Sequence, residues 1–398
     1  MSFVLGVVIF VLALLVSVML HETGHFVMAK RFHMKATKYF VGFGQTLWSR
    51  QRGETEYGIK VLPLGGFVKI IGMTSLEEVD PADEARSFRR QPAWQRAIVL
   101  GAGSFMHFAL AFVLLFIVSV GIGVPKVTNG AVVGTVSKCL GHTLKQLDSG
   151  ACAKSAPASP AARAGLQPGD KILSVAGQPV GSFTQLGNVL RKEPAGKPVA
   201  LVVARGGQRL TLSVTPGAVQ GGKGSYIGIN RQIIFQRSGP VAGVTYAGST
   251  FGQVISESGQ AAAKLPAALP DLFRSDRSKT AGANVSSIVG AADDAGQVVQ
   301  AGGGWQFIVS DLLLIVISLN IFVGAFNLLP LLPLDGGHLA IVFYERIRAW
   351  LARLRGRPDP GLVDLQKLIP VSVGVFAVIV GLGLVLILAD IVNPVHLA

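Results

Sequence analysis

Four stretches of the chain stay apolar for long enough to cross a bilayer: residues 3–28, 94–124, 307–334 and 369–392. A helix needs about 20 apolar residues to span a hydrocarbon core of about 30 Å. Lipid offers no partner to backbone polar groups, so helix is the state predicted for each stretch. The first is interrupted only by His21-Glu22-Thr23-Gly24-His25. From 130 to 216 the pattern alternates instead. Residues 131–136, 171–175, 199–204 and 210–214 predict strands, 183–190 a short helix, and Gln167-Pro168-Gly169-Asp170 a turn, which together make an α+β module. Between 39 and 71, glycines at 42, 44, 53, 58, 65 and 66 exclude a helix and 56–63 alternates, which predicts a β-hairpin or small sheet. Residues 239–264 read either as an amphipathic segment on the membrane surface or as a solvated linker. The Ser-, Ala-, Gly- and Asp-rich residues 275–304 read as a flexible connection.

The predicted order is a first span at 1–30, a β region at 31–92, a second span at 93–124 and an α+β domain at 125–217. A juxtamembrane segment and linker (218–305), a third span (306–338), a basic loop (339–368) and a fourth span (369–392) follow. The fold class is a polytopic α-helical membrane protein with four transmembrane helices. Lysines and arginines crowd the segments between spans one and two and between spans three and four, which assigns both to the cytoplasm. The termini and the α+β domain then lie outside. The apolar start lacks a basic n-region and a small-residue cleavage site, so it reads as a retained span rather than a signal peptide.

Half of the 398 residues are hydrophobic and 15% are charged, which excludes an ordinary soluble protein. The net charge of +14 could point to nucleic acid. No basic stripe is interleaved with aromatics, so the charge is read as membrane topology and no nucleic-acid partner is expected. The two cysteines, Cys139 and Cys152, fall in the region assigned to an oxidising space, where a disulfide competes with two free thiols.

On a helix, His21 and His25 are one turn apart and share a face, and two imidazoles so spaced can bind one Zn²⁺. Glu22 beside them is the candidate general base. Three ionisable side chains at the end of an apolar span are costly unless paired or metal-bound; a snorkelling interfacial cluster is the competing reading. Catalytic zinc takes a third protein ligand. Asp335, at the end of the third span, is the candidate, because a buried carboxylate requires a partner. Pro330 and Pro333 break the helix before it, and Gly336-Gly337 allows a tight turn. His338 is the alternative ligand. Asn327 either handles the substrate backbone or bonds a neighbouring helix.

These residues resemble a known family. His21-Glu22-Thr23-Gly24-His25, Pro63-Leu64-Gly65-Gly66-Phe67-Val68-Lys69, one PDZ-like module and the 327–337 run ending in Leu334-Asp335-Gly336-Gly337 are similar to the site-2 proteases of the bacterial RseP/Rip type. A single PDZ-like region and Gly/Ala-rich composition resemble the actinobacterial branch. The resemblance implies an intramembrane zinc endopeptidase of the bacterial plasma membrane, with its active site toward the cytoplasm. It implies one Zn²⁺ held by His21, His25 and Asp335, Glu22 as base, and Asn327 in substrate handling. A strand edge around Gly65, Gly66 and Phe67 would receive the substrate. Substrates would be transmembrane segments of single-span proteins such as anti-sigma factors after a first extracytoplasmic cut, or remnant signal peptides. The PDZ-like domain would bind a substrate C-terminus or exclude uncut proteins. The chain departs from the family in the second span, where the stretch matching its Gly-Pro-x-x-Asn motif is Gly101-Ala102-Gly103-Ser104-Phe105-Met106-His107, without the Pro and Asn. His107 then bonds a neighbouring helix or faces the active cavity. Two other classes fit fewer features: a membrane-anchored PDZ scaffold with a structural metal, which has no use for Glu22, and a zinc transporter, which would show the inverted repeats absent here.

Overall fold

The computed structural model describes residues 2–73, 77–139, 152, 156–218, 224–274, 277, 280, 285–302 and 304–395. The chain divides into two compact units, residues up to Ile122 joined with those from Gly239 on, and Gly123–Ser238.

The first unit opens with helix α1 (Ser2–Arg31), which ends on Lys30 and Arg31, cations suited to a helix C-terminus. Two long antiparallel strands follow, β1 (Ala36–Arg52) and β2 (Thr55–Ile70). Each bends on itself, at glycines 42, 44 and 65, whose positive φ angles suit a residue without a β-carbon. Tyr39 therefore pairs with Val68 on one side and Tyr57 on the other, and Arg50 also pairs with Tyr57. The resulting order is 66–70, 36–41, 55–60, 46–51, with residues 66–70 forming one edge. Glu54 fastens the turn: it accepts both Arg86 Nη1 and Nη2, at 2.7 and 2.8 Å, and also bonds Lys30. The Arg86 guanidinium, followed by Lys30, holds the Glu54 carboxyl down at about 2. Helix α2 (Ala93–Ile117) continues as one π-helical stretch to Ile122.

In the second unit, β3 (Val124–Val127) is followed by β4 (Ala131–Val136), the single-turn helix α3 (Pro160–Arg163), β5 (Lys171–Val175), β6 (Gln178–Pro179) and helix α4 (Phe183–Leu190). Then come β7 (Val199–Arg205), β8 (Gln208–Val214), β9 (Gly217–Ala218), β10 (Ser225–Tyr226), β11 (Ile229–Arg231) and β12 (Ile233–Gln236). The main sheet runs β11-β4-β5-β7-β8, with β6 beside β5, and β12 pairs with β3. Val133, Ile172, Leu186, Leu201 and Val203 fill its core. The boundary expected at residue 217 is too early. β11 completes the sheet on β4 and β12 closes on β3, so the module runs on to Ser238 because those strand edges need backbone partners. Cys139 and Cys152 are joined in a disulfide.

Back in the first unit, the stretch read as a surface segment or linker is helix α5 (Pro240–Ala268). Phe251 of α5 meets Phe108 of α2 edge to face, and Gly243 abuts Val120 and Phe116. The connection expected to be flexible contains helix α6 (Ile288–Ala301), whose small Ala295 and Gly296 let it close on Gly6 and Phe3 of α1; residues 275, 276, 278, 279, 281–284 and 303 of that stretch lie outside the described residues. Helix α7 (Trp305–Asn327) stops before the proline-rich 328–334 segment, so the third span is shorter than the predicted 306–338. The basic loop is largely helix α8 (Asp335–Leu354), whose apolar residues recur at helical spacing. Helix α9 (Ile369–Val392) matches the fourth predicted span and is lined with exposed apolar side chains. Among the described residues, four helical segments, Ser2–Arg31, Ala93–Ile122, Trp305–Asn327 and Leu365–Val392, are long and apolar enough to cross a membrane.

Candidate metal centre

Contacts between α1, α2 and α7 fix where the polar residues meet. Ser17 and His21 of α1 lie against His107 and Gly103 of α2, and His25 lies against Val99, so α2 runs antiparallel to α1. Ser17 meets Asn320 of α7, and His21 meets Asp335 just beyond α7, so α7 runs parallel to α1. The two halves of the predicted site are thereby carried to the same depth.

Nε2 of His21 and Nε2 of His25 are 3.0 Å apart, and Asp335 Oδ2 lies 3.2 and 3.3 Å from them. Three such atoms would repel or demand shared protons in isolation. A tetrahedral zinc ion with bonds of about 2.0–2.1 Å spaces its ligand atoms by about 3.3 Å, which is the size of this triangle, and it leaves one vertex open. Two imidazoles and a carboxylate are also a donor set that zinc accepts. Among the described residues no other group of three His, Cys, Asp or Glu ligands is drawn so close.

Surrounding groups hold the three in place. His25 donates Nδ1–H to the Val99 carbonyl at 2.7 Å, which leaves the Nε2 lone pair for an ion. Nδ1 of His21 is buried with no hydrogen-bond partner. A β-carbon at Gly103 would lie 2.5 Å from both His21 Cε1 and His25 Nε2, so the absence of a side chain there makes room for both rings. Asp335 begins α8. Gly336 and Gly337 were expected to form a tight turn, but they lie within the first helical turn. Their role is close packing: a β-carbon on Gly336 would stand 2.3 Å from the backbone of Leu328 and Leu329. Further along α8, Glu345 accepts Arg96 Nη1 of α2 at 2.9 Å and the Val363 N–H at 2.8 Å, which locks the helix carrying Asp335 onto α2. His338, the alternative ligand, lines a small cavity with Arg96 and Glu345 and lies outside the triangle.

Glu22 Oε2 accepts the backbone N–H of Val68 at 3.1 Å, so the glutamate touches the free edge of β2. N–H directions alternate along a strand, which puts Gly66 on the same edge as Val68. Thr23 and the Tyr39 hydroxyl, 2.8 Å apart, fix β1 to α1 beside it. Gly65 and Gly66 pass close to Phe43 and to Met19 respectively, and Phe67 stacks on Phe40. Asn327 ends α7 half-buried. The residue-level reading missed Asn320, which is 1% exposed. Its Nδ2 donates to Val316 O, so its Oδ1 is free to accept both the Ser17 hydroxyl and His107 Nδ1–H, the latter at 2.8 Å. Of the two readings of His107, the bond to neighbouring helices is the one observed, while its ring also sits 4.9 Å from that of His21. The available signal was a set of polar residues embedded in apolar helices.

The model of Peptidase family M50 matches residues 9–357. The chain belongs to that family. It is 37% identical to the zinc metalloprotease Rip1 of Mycobacterium tuberculosis over 420 residues, covering all of both chains. It is 36% identical to Rip1 of Mycolicibacterium smegmatis over 422 residues, again covering all of both. This M50 peptidase is therefore a zinc metalloprotease of the site-2 type, similar over its whole length to the actinobacterial Rip1 branch, and with its four apolar helices among the described residues a multi-pass membrane protein.

Proposed function

We propose that His21, His25 and Asp335 hold the single zinc ion, that Glu22 is the general base, and that the enzyme cleaves transmembrane segments unwound along the edge of β2. The observation carrying this reading is the ligand triangle, with sides of 3.0, 3.2 and 3.3 Å and Glu22 adjoining it in sequence. When bound, zinc supplies Lewis acidity that polarises the scissile carbonyl and makes water a better nucleophile at neutral pH. Glu22 takes a proton from the attacking water and returns it to the departing amine. The Val99 carbonyl keeps His25 in the tautomer that presents Nε2, and α8, clamped by Arg96, keeps Asp335 in register.

A substrate helix hides its peptide bonds, so it must open before cleavage. Gly66 and Val68 offer strand-edge groups that would replace its lost backbone hydrogen bonds. The Val68 N–H now holds Glu22, so a docked strand would free the carboxylate beside the bond to be cut. Asn327, at the end of α7, is assigned to holding the substrate backbone. Single-span proteins such as anti-sigma factors, shortened by a prior extracytoplasmic cut, and remnant signal peptides are the substrates this reading favours.

The positive-inside pattern supports a plasma-membrane protein with the metal site toward the cytoplasm and the termini outside. The Gly123–Ser238 unit would then be an extracytoplasmic PDZ-like domain, supported by its antiparallel sheet, by α3 and α4, and by the loop at 159–170. It either captures the new substrate C-terminus or excludes uncut proteins.

Glu22→Gln is the direct test, on purified protein with metal analysis and a single-span substrate. Zinc content should be unchanged while cleavage falls by about 10²–10⁴-fold. Wild-type cleavage by this variant would remove Glu22 from the chemistry.

A further inference from the structure

Helix α8 connects two candidate spans, α7 and α9, so it lies at the membrane face where the chain leaves the bilayer and re-enters it. One side of it is used internally. Val342, Glu345 and Ala349 are buried, and Glu345 binds Arg96. At about 100° per residue, Phe343, Ile347, Trp350 and Leu354 fall on the opposite side, with Tyr344 next to them. These five are between 55% and 66% exposed. A soluble helix would present polar residues there.

Arginines border this stripe on both sides, Arg346 and Arg353 along one margin and Arg355 along the other, all three exposed. None of the three has an ion-pair partner among the described residues, whereas Arg96, Arg86 and Arg205 each have one. An apolar stripe with aromatics, flanked by cations on long stems, matches the boundary between acyl chains and headgroups: the stripe sinks below it and the guanidiniums reach phosphates. Unpaired cations select the charge of that surface.

We propose that the exposed face of α8 docks on the anionic phospholipid headgroups of the leaflet at which α7 and α9 emerge. The buried face of the same helix is fixed to α2 and its first residue is Asp335, so the leaflet that seats Trp350 also bears on the orientation of that carboxylate.

The test uses full-length protein in nanodiscs of phosphatidylcholine alone and of phosphatidylcholine mixed with phosphatidylglycerol. Lipids brominated near the headgroup should quench the emission that Trp350→Phe removes. Hydrogen exchange over 343–357 should be slower in the mixed discs. An arginine near an anionic surface contributes about a fivefold factor in binding, so the triple variant Arg346→Gln, Arg353→Gln, Arg355→Gln should abolish most of the difference between the discs. Neither wild-type measurement depends on that variant folding. Absence of Trp350 quenching, or equal exchange in the two discs, overturns the proposal.

Discussion

Gly103 has no side chain and so offers no ligand atom, yet the geometry of the candidate metal site depends on it. A β-carbon at this position would approach His21 Cε1 and His25 Nε2 to 2.5 Å and His21 Nε2 to 2.6 Å. Carbon atoms in contact prefer about 3.5–4.0 Å, so Gly103→Ala must push both rings, or α2 itself, by about 1 Å. Neither gives easily. His25 is tied to the Val99 carbonyl on the same helix, and both imidazoles face Asp335. Intrinsic propensity acts the other way, since alanine is a better helix former than glycine by about 1 kcal/mol. Helix content should therefore survive while geometry fails. Metal sites tolerate ligand distances within about 0.2 Å, and a misplacement of 1 Å near the chemistry can cost about 100-fold in rate. Gly103→Ala is expected to lose zinc affinity and cleavage by roughly two orders of magnitude, with an unchanged circular dichroism spectrum. Gly101→Ala is the control, because a β-carbon there meets nothing within 4 Å. Zinc titration and single-turnover cleavage on the pair decide the matter. A Gly103→Ala enzyme with wild-type zinc affinity and turnover would refute the packing argument.

Other expectations follow from the same geometry. His107→Ala removes one of the two donors to the buried Asn320 Oδ1, which keeps the Ser17 hydroxyl, at about 0.5–1.5 kcal/mol for the lost hydrogen bond; His107→Asn, which restores a donor, should recover most of the lost thermal stability, and equal melting temperatures for the two variants would discount the network. Glu54 has its folded-state carboxyl held at about 2 against an ordinary 4.5, so its bonds to Arg86 and Lys30 stabilise the hairpin turn fully above about 4.5 and lose that effect as pH falls toward 2; hydrogen exchange at 44–56 should accelerate through that window in the wild type and be nearly pH-independent there, after correction for intrinsic exchange, in Glu54→Gln. Val68→Pro removes the N–H that Glu22 accepts and an edge donor, so cleavage should drop severely with zinc retained; unchanged cleavage would exclude the β2 edge as the substrate's docking strand. Deleting residues 123–238 distinguishes recruitment, where all cleavage is lost, from exclusion, where uncut substrates become cleavable.

Much of this protein was legible in the order of its residues because lipid and helix geometry permit few alternatives. Apolar runs must satisfy their own backbone, so four helices follow from length and composition, and α9 begins and ends where hydropathy places it. The spacing of His21 and His25 puts both rings on one helical face whatever the rest of the chain does. Glu22 and Asp335 are costly in such surroundings, which singles them out. Tertiary structure alone decided how close these groups come. Ser17 and Asn320 bond although 303 residues separate them, and no local pattern encodes that meeting. The same holds for Gly103 beneath the imidazoles, for Val68 against Glu22, and for β11 closing the sheet after the apparent end of its module. Local propensity acts over one or two turns of chain, whereas a ligand triangle with sides near 3 Å exists only once separate helices have packed.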